Sequence, residues 1–151
     1  YIRLSTIRIH NRGRYMIDPK NYEIINEFIP DEDVARLFQR ASVVVLPYVD
    51  ASQSGVVPLA FAFGKPVVVT RVGSIPELVD QGENGFIVEP RDSRALAEAI
   101  ITILRDPTLK RTMSENARSK ADTELSLSRV AAMHRDAYVE TTKRFSEKRS
   151  R

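Results

Sequence analysis

Ser42-Val43-Val44-Val45-Leu46-Pro47 and Pro66-Val67-Val68-Val69-Thr70 bracket a polar segment, Asp50-Ala51-Ser52-Gln53-Ser54-Gly55, and an apolar one that ends at Gly64. Neither valine run alternates apolar with polar residues. A strand with no polar side is buried on both faces, as in the interior of a parallel sheet covered by helices. Between the runs, Val56, Leu59, Ala60 and Phe63 recur at helical spacing. Gly64 stands where a left-handed C-terminal cap belongs, and Pro66 stops the helix from continuing. Strand, polar loop, helix, strand is the repeating unit of an α/β sheet.

The same alternation extends outward in both directions. Upstream, residues 4–9 and 22–28 read as strands, separated by a polar loop over residues 11–21 that contains Gly13 and Pro19. Asp31 is placed to cap a helix, with Glu32 and Asp33 in its first turn and Val34, Leu37, Phe38 and Ala41 on its inner face. Downstream, Ser74 and Glu77 have capping-box spacing and predict a short helix running to Val79. Residues 81–85 read as a turn and residues 86–88 as a strand. Asp92-Ser93 caps a helix bearing Leu96, Ala99, Ile100, Ile103 and Leu104, and Asp106-Pro107 starts another that runs to about Ala121. Ser126 caps a last helix carrying Val130, Met133, Ala137 and Tyr138. The expected fold is α/β, a Rossmann-like parallel sheet with helices on both faces.

Composition narrows the chemistry. The 151 residues, 42% hydrophobic and 28% charged, suit one soluble domain. With no cysteine and only His10 and His134, thiolate chemistry is excluded and a histidine-rich metal site disfavoured. The net charge of +3 is carried by the tail, since residues 143–151 hold five Lys/Arg and one acid. The rest is close to neutral, which argues against nucleic acid as a partner. The tail is either a solvated end or a contact for an anionic membrane surface. No run approaches the roughly 20 apolar residues that span a bilayer. The first residues read as cut from a longer protein, giving a partial domain over 1–142 and a basic tail over 143–151.

In open parallel sheets, ligands gather beyond the carboxyl ends of the strands. Here those ends are Phe28 to Pro30, Pro47 to Gly55, and Arg71 to Ser74. In the second segment the main-chain N–H groups of Ser54, Gly55 and Val56 and the hydroxyls of Ser52 and Ser54 suit an anion at a helix start, a phosphate above all. The alternative is that the two serines only cap the helix. Neither G-x-G-x-x-G nor G-x-x-x-x-G-K-[ST] occurs.

Three stretches, VVVLPY (43–48), SGVVPLAFAFGKPVVVTRVGSIPELV (54–79) and GENGFIVEP (82–90), resemble the C-terminal, nucleotide-sugar-binding half of retaining GT-B glycosyltransferases, the group 1 glycosyl transferases. The likeness runs from about Ile24 to Tyr138. It implies two facing Rossmann-like domains with the donor held in the C-terminal one, an acceptor entering from an N-terminal domain not contained in this chain, and no turnover by this piece alone. It also implies transfer with retention of anomeric configuration and a leaving diphosphate stabilised by positive charge and amide dipoles, with no metal or other cofactor. The nucleotide-diphosphate sugar is then a substrate, and the setting is cytoplasmic, with possible membrane association through the tail.

The resemblance also assigns residues. The family usually places two glutamates eight positions apart around this helix, and counted back from Gly64 these fall on Ala51 and Leu59, neither of which accepts a hydrogen bond. Gln53 is then the candidate for sugar hydroxyls and Asp50 the stand-in acceptor. Phe28 and Ile29 lie where the family's loop meets the base, core packing being the other account of Phe28. Arg71 and Gly73 complete the donor-binding candidates, Arg71 for phosphate, and no catalytic residue is assigned. Glu77 belongs to its capping box. Two further readings are a non-catalytic GT-B-like domain kept for partner binding or assembly, and a related enzyme such as an epimerase.

Overall fold

A computed structural model describes residue 25, residues 28–126 and residues 129, 131, 135 and 138. The strand expected over 4–9, the strand expected over 22–28 apart from residues 25 and 28, the loop between them and the basic tail lie outside the described residues; residues 25 and 28 are not in a strand. The chain divides into two compact units, Tyr1–Leu37 and Phe38–Arg151.

α1 (Asp31–Arg40, which runs across the division) starts at Asp31 itself, so its cap lies one residue earlier than expected. Pro30 occupies that place: its carbonyl accepts from Asp33 N at 2.9 Å and Val34 N at 3.1 Å. Asp31 is thus the first helical residue rather than the cap.

The second unit is built on three parallel strands, β1 (Val44–Leu46), β2 (Val67–Thr70) and β3 (Gly85–Val88), in the order β1-β2-β3. Val44 pairs with Val67, and Val68 with Phe86. β1 is shorter than its valine run, beginning at Val44, whose N–H donates to Pro66 O at 3.0 Å. All four residues of β2 are buried, as expected of a central strand. Its side chains alternate between two cores. Val67 and Val69 pack with Val57, Ala60 and Phe61 of α2 (Val56–Ala62), with Ile75, and with Ala117 and Ala121 of α4 (Pro107–Thr123). Val68 packs on the other face with Ile103 of α3 (Ser93–Arg105) and Met113 of α4. Helices therefore cover both faces of the sheet.

The helix ends follow local chemistry. Asp92 Oδ1 accepts from Ala95 N at 2.9 Å, capping α3. Asp106 Oδ1 accepts from both Thr108 N and Leu109 N at 2.9 Å, with Pro107 preset for the first turn of α4. Replacing Asp106 with alanine should cost about 1 kcal/mol, measured as a lowered midpoint in urea with an unchanged slope. Gly64 closes α2 at φ 62°, letting Lys65 N reach Ala60 O at 2.9 Å. Arg118 Nη1 donates to Ala62 O at 2.7 Å and ties that end of α2 to α4.

At the amino end of β3 the Gln81–Gly85 turn is pinned by buried Asn84. Its Oδ1 accepts from Asp80 N at 2.9 Å, and its Nδ2 donates to Asp80 Oδ2 at 2.7 Å. Lys120 Nζ reaches the same carboxylate oxygen at 2.6 Å. This network lies at the end of the sheet away from the carboxyl-edge loops.

Candidate functional site

The carboxyl ends of β1 and β2 hold the loop over residues 47–55 in place. Thr70, the only polar residue in β2, is almost fully buried and its hydroxyl turns toward the start of that loop. It donates to Tyr48 O at 2.6 Å and lies 3.4 Å from Leu46 O. Farther along, Ser52 O accepts from Ser74 N at 2.9 Å and from Ser74 Oγ at 3.0 Å. Gly73 makes this approach possible. It sits at φ 51°, and a Cβ there would run into the carbonyl oxygens of Ala51 and Ser52. The loop is thus fastened at Tyr48 to the last residue of β2 and at Ser52 to the chain that follows it.

The capping box read at Ser74 and Glu77 does not form. Residues Ile75–Leu78 make a 3-10 turn, and the Ser74 side chain accepts no bond from it. Its hydroxyl serves the more distant Ser52 carbonyl instead, a partner local spacing cannot predict.

At the start of α2 the donor set is smaller than the sequence suggests. Val56 N donates to the largely buried Ser54 Oγ at 3.2 Å, so its amide is used internally. This corrects the expectation of three outward amides, and it makes Ser54 a local brace of the loop. Among the described residues, nothing accepts from the main-chain N–H groups of Gln53, Ser54 or Gly55. α2 itself is seven residues long, with no side-chain cap at Gly55. Its dipole is that of a two-turn helix, so an anion would be held mainly by the individual amides beside it.

Asp50, Ser52 and Gln53 are exposed on the same loop, while Ala51 packs against the core beneath it. Ala51 and Leu59 carry only hydrocarbon where acceptors would stand. Arg71 continues the ladder, its N–H donating to Val88 O at 2.8 Å. Its Nε pairs with Glu89 Oε1 at 2.7 Å, an exposed pair. Arg71 is therefore held by a carboxylate that sequence reasoning did not connect to it. In the first unit Phe28 is exposed (68%), so it is not the core residue its alternative account requires, and Ile29 is buried.

Thr70, Ser74 and Glu89 were missed as parts of the site. A threonine closing an otherwise apolar buried strand was the one local signal available for Thr70. Ser74 and Glu89 act through partners distant in sequence, and only the fold reveals them.

A parallel sheet with helices on both faces, and polar loops gathered at its carboxyl edge, is the architecture of a GT-B nucleotide-sugar-binding half. The chain belongs to the family described as glycosyl transferases group 1, whose model matches residues 12–106. It is 35% identical over 88 residues to a D-inositol 3-phosphate glycosyltransferase of Corynebacterium urealyticum, a match covering 58% of this chain and 21% of that relative. Among solved structures it is similar to a sucrose-phosphate synthase from Thermosynechococcus elongatus (TM-score 0.70, 31% identity, 76% of this chain and 29% of that one). It is also similar to Anabaena Alr3699/HepE in complex with UDP (TM-score 0.68, 27% identity, 72% of this chain and 30% of that one). The chain spans less than a third of the length of each of these proteins. No helix among the described residues is long and apolar enough to cross a membrane.

Proposed function

We propose that this chain is the donor-binding part of a glycosyltransferase that moves a hexose from a nucleotide diphosphate to an acceptor with retention of configuration. The observation that carries the reading is the carboxyl-edge loop, fastened by Thr70 and Ser74 and left with unpaired amides at Gln53, Ser54 and Gly55. The family match and the UDP complex of a structural neighbour support a nucleotide-diphosphate sugar as the ligand.

In this reading the amides of Ser54 and Gly55 and the free guanidinium nitrogens of Arg71 meet the diphosphate. Amide donors fixed before the reaction stabilise negative charge that grows on a leaving group, without reorganising when it appears. No metal is assigned to that task. Ser52, Gln53 and Asp50 face the sugar, and Gly73 gives the loop its close seat. Val56 contributes through its bond to Ser54 rather than to the ligand. The acceptor enters from an N-terminal domain outside this chain, and the protein works in the cytoplasm, with the basic tail available to an anionic membrane surface.

Gly55 offers a clean test. It sits at φ −73°, where proline is at ease, and a Cβ there meets nothing within 4 Å. Gly55→Pro in the full-length protein should therefore keep the fold while deleting one amide. UDP affinity by calorimetry should fall about 10- to 100-fold, the worth of one hydrogen bond to a charged group. Gly55→Ala, which keeps the amide, should bind as the parent does. Equal affinity of all three proteins would remove Gly55 from the site.

A second reading is favoured by Ala51 and Leu59, which leave the loop and α2 without carboxylates: a GT-B-like domain kept for partner binding or assembly. Transfer or hydrolysis of a UDP-sugar by the full-length protein supports the first reading. Full folding with no turnover over a panel of nucleotide sugars supports the second.

A further inference from the structure

We infer that Ser74 is a positioning residue for the donor loop, and that through it the main-chain N–H of Gln53 becomes an additional donor to the diphosphate. The inference rests on the donor-binding reading above.

Ser52 O receives two hydrogen bonds from one residue, Ser74 N at 2.9 Å and Ser74 Oγ at 3.0 Å. Two donors on one carbonyl fix the direction of that peptide plane far better than one. No peptide bond in the described chain is cis. In a planar trans peptide the C=O and the following N–H point in opposite directions. Turning Ser52 O toward Ser74 therefore turns Gln53 N–H away from the chain that follows β2. Nothing among the described residues accepts from it, and Gln53 is exposed.

Gln53, Ser54 and Gly55 are then three consecutive residues from whose main-chain N–H groups nothing among the described residues accepts. Successive main-chain N–H groups turned outward form concavities suited to anions. A hydroxyl with no contact to the ligand would thus tune its binding, by holding the first of those donors in place. Gly73 admits the contact and Thr70 secures the near end of the loop, but only Ser74 acts on this peptide plane.

The test compares UDP with uridine on the full-length protein and its Ser74→Ala and Ser74→Thr variants. Ser74→Ala retains the main-chain bond and loses the hydroxyl. It should weaken UDP binding about three- to tenfold, leave uridine binding unchanged, and leave the melting temperature close to the parent's. Hydrogen exchange should show faster exchange at Ser74 N, whose acceptor is no longer held. Ser74→Thr keeps a hydroxyl and should restore UDP affinity. Equal weakening of UDP and uridine would mean a general loosening and overturn the inference, as would unchanged UDP affinity in Ser74→Ala. In both cases the donor-binding reading stands, because the parent still binds UDP. If the parent binds none of UDP, GDP and ADP, the donor-binding reading and this inference fail together.

Discussion

Gly73→Ala is expected to lower stability by roughly 2–5 kcal/mol, combining a left-handed conformation with forced overpacking, and to abolish UDP binding. Gly73 holds φ at 51°, and the added methyl would collide with the carbonyl oxygens of Ala51 and Ser52. Main-chain oxygens cannot swing aside as the end of a lysine can. Relief must come from moving the loop, and that loop carries the proposed donors. Gly64→Ala provides the comparison. Gly64 is also left-handed, at φ 62°, but the nearest atom to a Cβ there is Ser114 O at an ordinary 3.5 Å. That variant should lose about 1–2 kcal/mol from backbone strain alone and keep its UDP affinity. Thermal melts and calorimetry on the two variants separate strain from displacement. Similar affinity in both would show that the loop does not depend on the Gly73 approach.

The second large effect is expected at Phe61. It is fully buried in the core between α2 and the sheet, beside Val57, Ala60, Val67 and Val69. Phe61→Ala leaves a hole lined by strands and helices that cannot collapse far, so about 3–5 kcal/mol should be lost. Denaturant unfolding gives the value. A cost below about 1 kcal/mol, of the order seen at surface sites, would contradict the packing described. Binding should survive while the protein remains folded, because Phe61 is fully buried and offers no surface to a ligand. Phe38, which packs against the same core, stacks on Phe63 with ring centroids 5.4 Å apart.

How much was legible in the sequence depended on the range of the forces involved. β2 could be read residue by residue, because four consecutive buried positions leave only one solution. The caps at Asp92 and Asp106 could be read because capping joins residues two or three apart. β1 was read too long: it begins at Val44, whose N–H finds its acceptor across the chain at Pro66. The short helix after Ser74 stands where it was read, as a 3-10 turn, but its cap was misjudged for a related reason. The capping-box pattern is present, but the hydroxyl finds a better partner across the chain at Ser52.

The loop between β1 and α2 falls where the sequence placed it, and the partners of its side chains were not legible. Ser54 was read as a ligand contact or a cap, and it proves to be an internal acceptor for Val56. Arg71 was read as a phosphate contact, and its Nε pairs with Glu89. Both corrections come from partners brought in by the fold. Periodicity describes which face a residue occupies, and it is silent about which oxygen it meets there.

α4 belongs to both layers of the second unit, Met113 to one core and Ala117 and Ala121 to the other. Neither layer can therefore come apart while its opposite stays intact, because the same rod is seated in each. Melting of this unit should be a single cooperative event, and slack introduced beneath α2 is passed through α4 to the α3 side instead of remaining local.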